Sequence, residues 1–196
     1  MYRPKAIVQD IQRELGIQIH YKKALHAKDQ AIAQINGSFE DAYKQLPQYC
    51  EDLKKSNPFT TAVVNSTPEG RFHRMFVSFG ASAKGFRFCR PILGLDGTYL
   101  KSKYEGILLA ATAVDAVGSL FPLAHAVVIA EDDENWFWFL QHLCQIVQDH
   151  ANQFLETNAL TLFSDRQKGL IDSIARIFPS SPHGYCLHHL EANFHK

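Results

Sequence analysis

Cysteine is scarce in this chain, and the four present, Cys50, Cys89, Cys144 and Cys186, stand far apart. That spacing does not suit a disulfide scaffold and predicts a reduced, intracellular protein. No run of about eighteen apolar residues occurs, which argues against a membrane span. The N-terminus lacks the apolar stretch of a secretory signal. An excess of either charge is missing too: Lys+Arg and Asp+Glu are 20 each, so no net positive field draws the whole molecule onto nucleic acid. Contact with DNA must come from a local patch, for which Lys22-Lys23, Lys54-Lys55 and the set Arg71, Arg74, Arg87 and Arg90 are the candidates. No basic cluster reads as a nuclear-import signal.

What is present is apolar: 46% of 196 residues are hydrophobic, enough for one full core, or a core with a small helical appendage. The first sixty residues have a helical texture. Ile7, Val8, Ile11 and Leu15 recur at helical spacing behind Pro4, and Gly16 stops the pattern. Tyr21 to Ile35 repeats it and ends at Asn36-Gly37. Ser38 opens a third segment, whose apolar stripe from Phe39 to Leu53 is interrupted by Pro47. After Asn57-Pro58 the texture turns to β: Thr60 to Val64 and Phe72 to Phe79 flank a turn-rich stretch and predict a hairpin. Ala81 to Cys89 predicts a short linking helix.

Two later strands each end on a carboxylate. Ile92-Leu-Gly-Leu delivers Asp96 into a Gly-Thr turn, and Leu160-Thr-Leu-Phe-Ser delivers Asp165 into Arg-Gln-Lys-Gly. Between them lie the apolar strands Ile107 to Asp115 and Leu120 to Ala130, then a helix from about Asp133 to Ala151 capped by Asp132 or Asp133. A helix from Arg166 to Phe178 follows the last strand. Three strands joined by short turns predict an antiparallel meander, and the helical crossover returns the fourth strand parallel to the first. If the fourth lies beside the first, Asp96 and Asp165 become neighbours able to share a divalent ion. Each also has a plainer explanation: Asp96-Gly97 is a common turn pair, and Ser164 with Gln167 looks like a capping box.

Five ordered stretches add a more specific signal. They are Cys89-Arg-Pro-Ile-Leu-Gly-Leu-Asp-Gly-Thr-Tyr-Leu-Lys101, Phe121-Pro-Leu-Ala-His-Ala-Val-Val128, Glu131-Asp-Asp-Glu-Asn-Trp-Phe-Trp-Phe-Leu140, Phe163-Ser-Asp-Arg-Gln-Lys-Gly-Leu170 and Gly184-Tyr-Cys-Leu-His-His-Leu190. With them, the chain from Phe76 onward resembles the catalytic domain of Mutator-like element (MULE) transposases of the MuDR type. The resemblance implies an α/β, ribonuclease-H-like mixed sheet with flanking helices, preceded by a small helical module. It divides the chain into a helical module over 1–58, a hairpin and connecting helix over 59–91, and the catalytic domain over 92–196.

The resemblance further implies a cut-and-paste DNA transposase with an Asp, Asp, Glu triad. Asp96 and Asp165 match its first two acids and would hold Mg²⁺, or Mn²⁺. The family's third acid lies on a helix well beyond the Cys-Leu-His-His segment, and Glu191 comes too early for it. Glu131, Asp132, Asp133 and Glu134 match a helix start, and Asp115 a turn. The expectation is therefore a truncated catalytic domain with two of three carboxylates, inactive alone. Cys186 and His189 form a Cys-x2-His pair that reads either as packing or as half of a zinc site on one helix face, with His183, His188 and His195 as further candidate ligands. Trp136, Phe137, Trp138 and Phe139 read as core ahead of a base-stacking surface. The implied partner is double-stranded DNA at element ends, in the nucleus, with a homo-oligomer of the intact protein for synapsis and no membrane. Two other readings stay open: a domesticated, non-catalytic DNA-binding or regulatory protein, and a decayed element copy.

Overall fold

The computed structural model of the chain describes residues 3–37, 39–101, 105–155 and 159–186. Contacts divide it into two units, residues 1–46 and 47–196. The first unit holds helices α1 (Pro4–Leu15) and α2 (Tyr21–Asn36) and the start of α3 (Phe39–Ser56). Pro4 sits in the first turn of α1, where its missing N–H is no loss. Gly16 ends that helix at φ 66°, a left-handed cap that glycine takes without steric cost, and its N–H reaches the Gln12 carbonyl at 3.1 Å. α1 packs against α2. Among the described residues of this unit Ala24 alone is fully buried, while Leu15, Ile17 and Ile35 stay exposed. α3 runs through Pro47 without a break, whereas the sequence suggests an interruption there. Ser38 lies outside the described residues.

The second unit is built on one seven-stranded sheet: β1 (Thr61–Ser66), β2 (Phe72–Ser78), β3 (Ile92–Tyr99), β4 (Ile107–Val114), β5 (Leu120–Val128), β6 (Thr161–Ser164) and β7 (His183–Tyr185). Its spatial order is β1-β2-β5-β4-β3-β6-β7. The meander β3-β4-β5 is antiparallel, and β6 lies beside β3 and parallel to it, as the connection lengths predict. The β1-β2 hairpin continues the sheet past β5. This arrangement is ribonuclease-H-like: a mixed α/β sheet in which a helical crossover sets the fourth strand of the core against the first.

One face of the sheet carries the core. Along β4, Ile107, Leu109, Ala111 and Ala113 are buried while the alternate residues Leu108, Ala110, Thr112 and Val114 are half-buried, the period of two that pleating imposes. Leu93 and Leu95 of β3 and Ala124, Ala126 and Val128 of β5 join the buried side. The crossover helix α5 (Asp133–Leu155) lays Trp136, Phe139, Leu140, Leu143 and Val147 into the same cluster, as does α6 (Lys168–Ile177) with Leu170 and Ile174. Full burial of each leucine contributes about 1.5–3 kcal/mol. α4 (Gly80–Gly85) and a single 3-10 turn, Phe86–Phe88, add Ala83 and Phe86 to this cluster. Of the expected aromatics, Trp136 and Phe139 are core, whereas Phe137 and Trp138 are half-buried beneath Arg176 and Arg74 at 4.2 and 4.6 Å.

Other elements differ from the sequence reading. β3 does not end on Asp96 in a turn but runs on through Gly97 and Thr98 to Tyr99, so Asp96 stands within the strand. β7 was not anticipated, and it pairs parallel to β6 through Leu162, Phe163 and Ser164. Cys186 extends that pairing by giving its backbone N–H to the Ser164 carbonyl at 2.7 Å, so it stands at a strand end and not on a helix. The helix after β6 starts at Lys168, with Gln167 as its cap. Ser164 takes no part in a capping box, because it faces the interior next to Leu162.

Candidate active site

The β3-β6 register pairs Ile92 with Thr161, Leu93 with Leu162 and Gly94 with Phe163. β6 ends at Ser164, so Asp165 follows directly on the strand beside β3, and the same offset continued by two residues would bring it level with Asp96. Asp96 projects from the face opposite the core, since Leu93 and Leu95 are buried inward while it is exposed; Asp165, just past β6, is half-buried. Topology thus sets the two strands that carry the expected pair side by side.

Local bonding fixes Asp165. Its Oδ1 accepts the Gln167 backbone N–H at 3.0 Å, an Asx-type turn that holds one carboxylate oxygen and leaves the other to a ligand. Gln167 Oε1 in turn accepts the Leu170 N–H at 2.5 Å and starts α6. Beneath the carboxylate, the buried Ser164 hydroxyl donates to the Asp165 carbonyl at 2.7 Å and meets His183 Nε2 at 2.8 Å. Burial holds the His183 pKa below the usual imidazole range.

The acids at the start of α5 do structural work. Asp132 Oδ1 caps the helix by accepting the Asn135 N–H at 2.9 Å. Asp133 lies over Gly169, where an added Cβ would collide with its carboxylate. Glu134 pairs with Arg74 at 3.1 Å on the surface. Glu131 accepts the Trp136 indole N–H at 3.3 Å and sits against Gly97, whose absent side chain would come within 2.7 Å of Oε1. Gly97 follows the inward alternation of Leu93 and Leu95, so Glu131 lies under the sheet, on the side away from Asp96. Asp115 is a turn residue, as expected: its Oδ1 accepts the Val117 and Ser119 N–H groups at 3.0 and 2.7 Å.

Several of the basic candidates in the second unit have local partners. Arg74 bonds Asn65 and Asn135 and covers Trp138. Lys54 and Lys55 pair with Glu51 and Asp52. Arg87 covers Phe88 at 4.7 Å, and Arg90 donates to the Ala116 carbonyl at 3.3 Å. Arg166, next to Asp165, stands 5.8 Å over the Tyr185 ring. Of the suggested zinc pair, Cys186 is half-buried at the end of β7, while His189 lies outside the described residues, as do His188, Glu191 and His195.

The MULE transposase domain profile matches residues 92–193, a span that runs from β3 through β7 and contains both aspartates. The chain belongs to the MULE transposase domain family. This MULE domain is 22% identical over 138 residues to Protein FAR1-RELATED SEQUENCE 6 of Arabidopsis thaliana, covering 70% of the chain but 18% of that relative's length. Two solved structures of the Mos1 mariner transposase catalytic domain, one with raltegravir and manganese, align over 74% of the chain and 61% of theirs. Their identities are 9% and 10% and their TM-scores 0.35 and 0.32. These are loose likenesses.

Asp96 and Asp165 of the MULE domain offer carboxylate oxygens, the donor type that hard divalent cations such as Mg²⁺ take. Among the described residues no three His, Cys, Asp or Glu side chains are gathered as a ready metal cluster, and no helix is long and apolar enough to cross a membrane. One residue of interest went unmarked in the sequence. His125 of β5 lies in register with Ala110, which lies in register with Asp96. Its signal was there to read: a lone polar residue among the inward-facing Ala124, Ala126 and Val128 must point to the other side.

Proposed function

We propose that this domain carries the metal-holding half of a cut-and-paste DNA transposase, with Asp96 and Asp165 as paired ligands of Mg²⁺ or Mn²⁺. The single observation that carries the reading is the parallel β3-β6 register, which supports two carboxylates side by side on the open face. A divalent ion held there would supply Lewis-acid stabilisation to charge developing on phosphodiester oxygens. The protein's part is to keep the two acids at fixed spacing on a rigid sheet, with the Gln167 N–H orienting Asp165. Double-stranded DNA is the substrate of this reading.

Mn²⁺ binding followed by electron paramagnetic resonance tests it. The wild-type chain is expected to bind, and Asp96→Asn and Asp165→Asn each to weaken binding at least about tenfold, the loss of one charged ligand interaction. Equal binding by all three proteins would sink the reading.

A second reading, a domesticated DNA-binding or regulatory protein, draws support from the structural employment of Glu131 to Glu134 and from the likeness to a FAR1-related protein. DNA binding unchanged by Asp96→Asn and independent of divalent ions would favour it.

A further inference from the structure

The two aspartates begin a longer row of side chains. Asp96 pairs with Ala110, Ala110 with His125, and His125 with Val77. Residues directly opposite one another project from the same face, so Asp96, Ala110, His125 and Val77 cross the sheet in line on the face away from α5 and α6, with Asp165 beyond them just past the end of β6. Each step spans about 4.8 Å, which puts the Asp96 and His125 Cα atoms about 10 Å apart. Between them in the row stands Ala110, whose side chain is a single methyl. The row therefore dips to a bay with a carboxylate pair on one wall and an imidazole on the other. Ala110 and His125 are half-buried and Asp96 is exposed, so the bay opens to solvent. Beyond His125 the row continues with apolar Val77, leaving the imidazole as its one hydrogen-bond donor.

We propose that this bay seats a phosphate of the DNA strand, with His125 donating an imidazole N–H to a non-bridging oxygen. The inference rests on the metal-holding reading of Asp96 and Asp165. An anion approaching two carboxylates alone is repelled. With a cation between the carboxylates and a donor across the bay, the same phosphate is held from both sides. A neutral imidazole suffices, since one ring nitrogen always carries a proton. Contacts of this kind fix the strand's position without reading its bases. Ala110 matters by its size: a larger side chain fills the bay.

The test is binding of a fluorescent DNA duplex to the whole chain by anisotropy at fixed salt, with and without Ca²⁺, in wild type, His125→Ala, His125→Asn and Ala110→Leu. Mn²⁺ affinity and thermal unfolding are measured on the same proteins. The Ca²⁺-dependent part of DNA binding should weaken about tenfold in His125→Ala and Ala110→Leu, the effect of one hydrogen bond to a charged group. His125→Asn, which keeps an N–H donor, should recover part of it, and Mn²⁺ affinity should be unchanged in all three. Wild-type DNA binding by both His125→Ala and Ala110→Leu overturns the inference while leaving the metal site standing. Loss of Mn²⁺ binding in His125→Ala overturns it as well, by making the imidazole a metal ligand. If wild type binds no Mn²⁺, or Asp96→Asn binds it equally, the metal reading fails and the bay falls with it.

Discussion

At the scale of single residues, close contacts and half-buried imidazoles make the sharpest predictions. Gly169 lies under the Asp133 carboxylate and backbone, whose Cα is 2.9 Å from where a Cβ would be. The Gly169→Ala variant must push α5 from α6 and is expected to lose about 1–3 kcal/mol, read by denaturant unfolding. His142 and His183 are both held below the ordinary imidazole pKa, first by burial and, for His142, also by Arg74. A folded-state pKa below the unfolded value means that these residues favour folding fully above about pH 6.5 and lose that contribution as pH falls through the depressed values. The melting temperature should therefore drop on acidification below about pH 6.5, and drop less in His142→Asn, where the group beside Phe76 and Trp138 no longer titrates. An equal slope in both proteins would remove His142 from the cause.

At the scale of elements, α5 fixes the fold because it is the crossover that makes β6 parallel to β3. Leu143 is fully buried on its inner face, and Leu143→Ala is expected to cost about 2–5 kcal/mol in chemical unfolding. Asp132→Ala removes the helix cap and should cost about 1 kcal/mol. Much of this layer was legible in the sequence. The stripe Trp136, Phe139, Leu140, Leu143 and Val147 announced the helix, and the runs ending on Asp96 and Asp165 announced the strands. β7 was not legible, since His183-Gly-Tyr185 is too short to show a period and forms only because β6 offers an edge. The start of α6 was misread because Ser164 has the chemistry of a cap, and only the parallel pairing turns its side chain inward to His183. The place of Glu131 was hidden for a similar reason, as a carboxylate beneath Gly97 follows from packing between α5 and β3.

At the scale of the whole molecule, the large buried cluster lies within the second unit, whereas the first unit buries Ala24 among its described residues. A chain lacking residues 1–36 should therefore unfold cooperatively, with a melting temperature within about 4 °C of the full chain, equivalent to about 1 kcal/mol. A shift of tens of degrees in calorimetry would contradict that. The sheet order also dictates when the site exists. The meander β3-β4-β5 closes through short turns, but Asp96 meets Asp165 only after two strands and a long helix have been made and the chain has returned to pair in parallel, which is slow because loop closure must come before the contacts that reward it. During synthesis, then, the open face passes through a stage with one carboxylate in place and no partner. On the metal-holding function proposed for the two aspartates, a nascent copy cannot grip metal, and so cannot engage a strand in this way, until β6 has left the ribosome and docked.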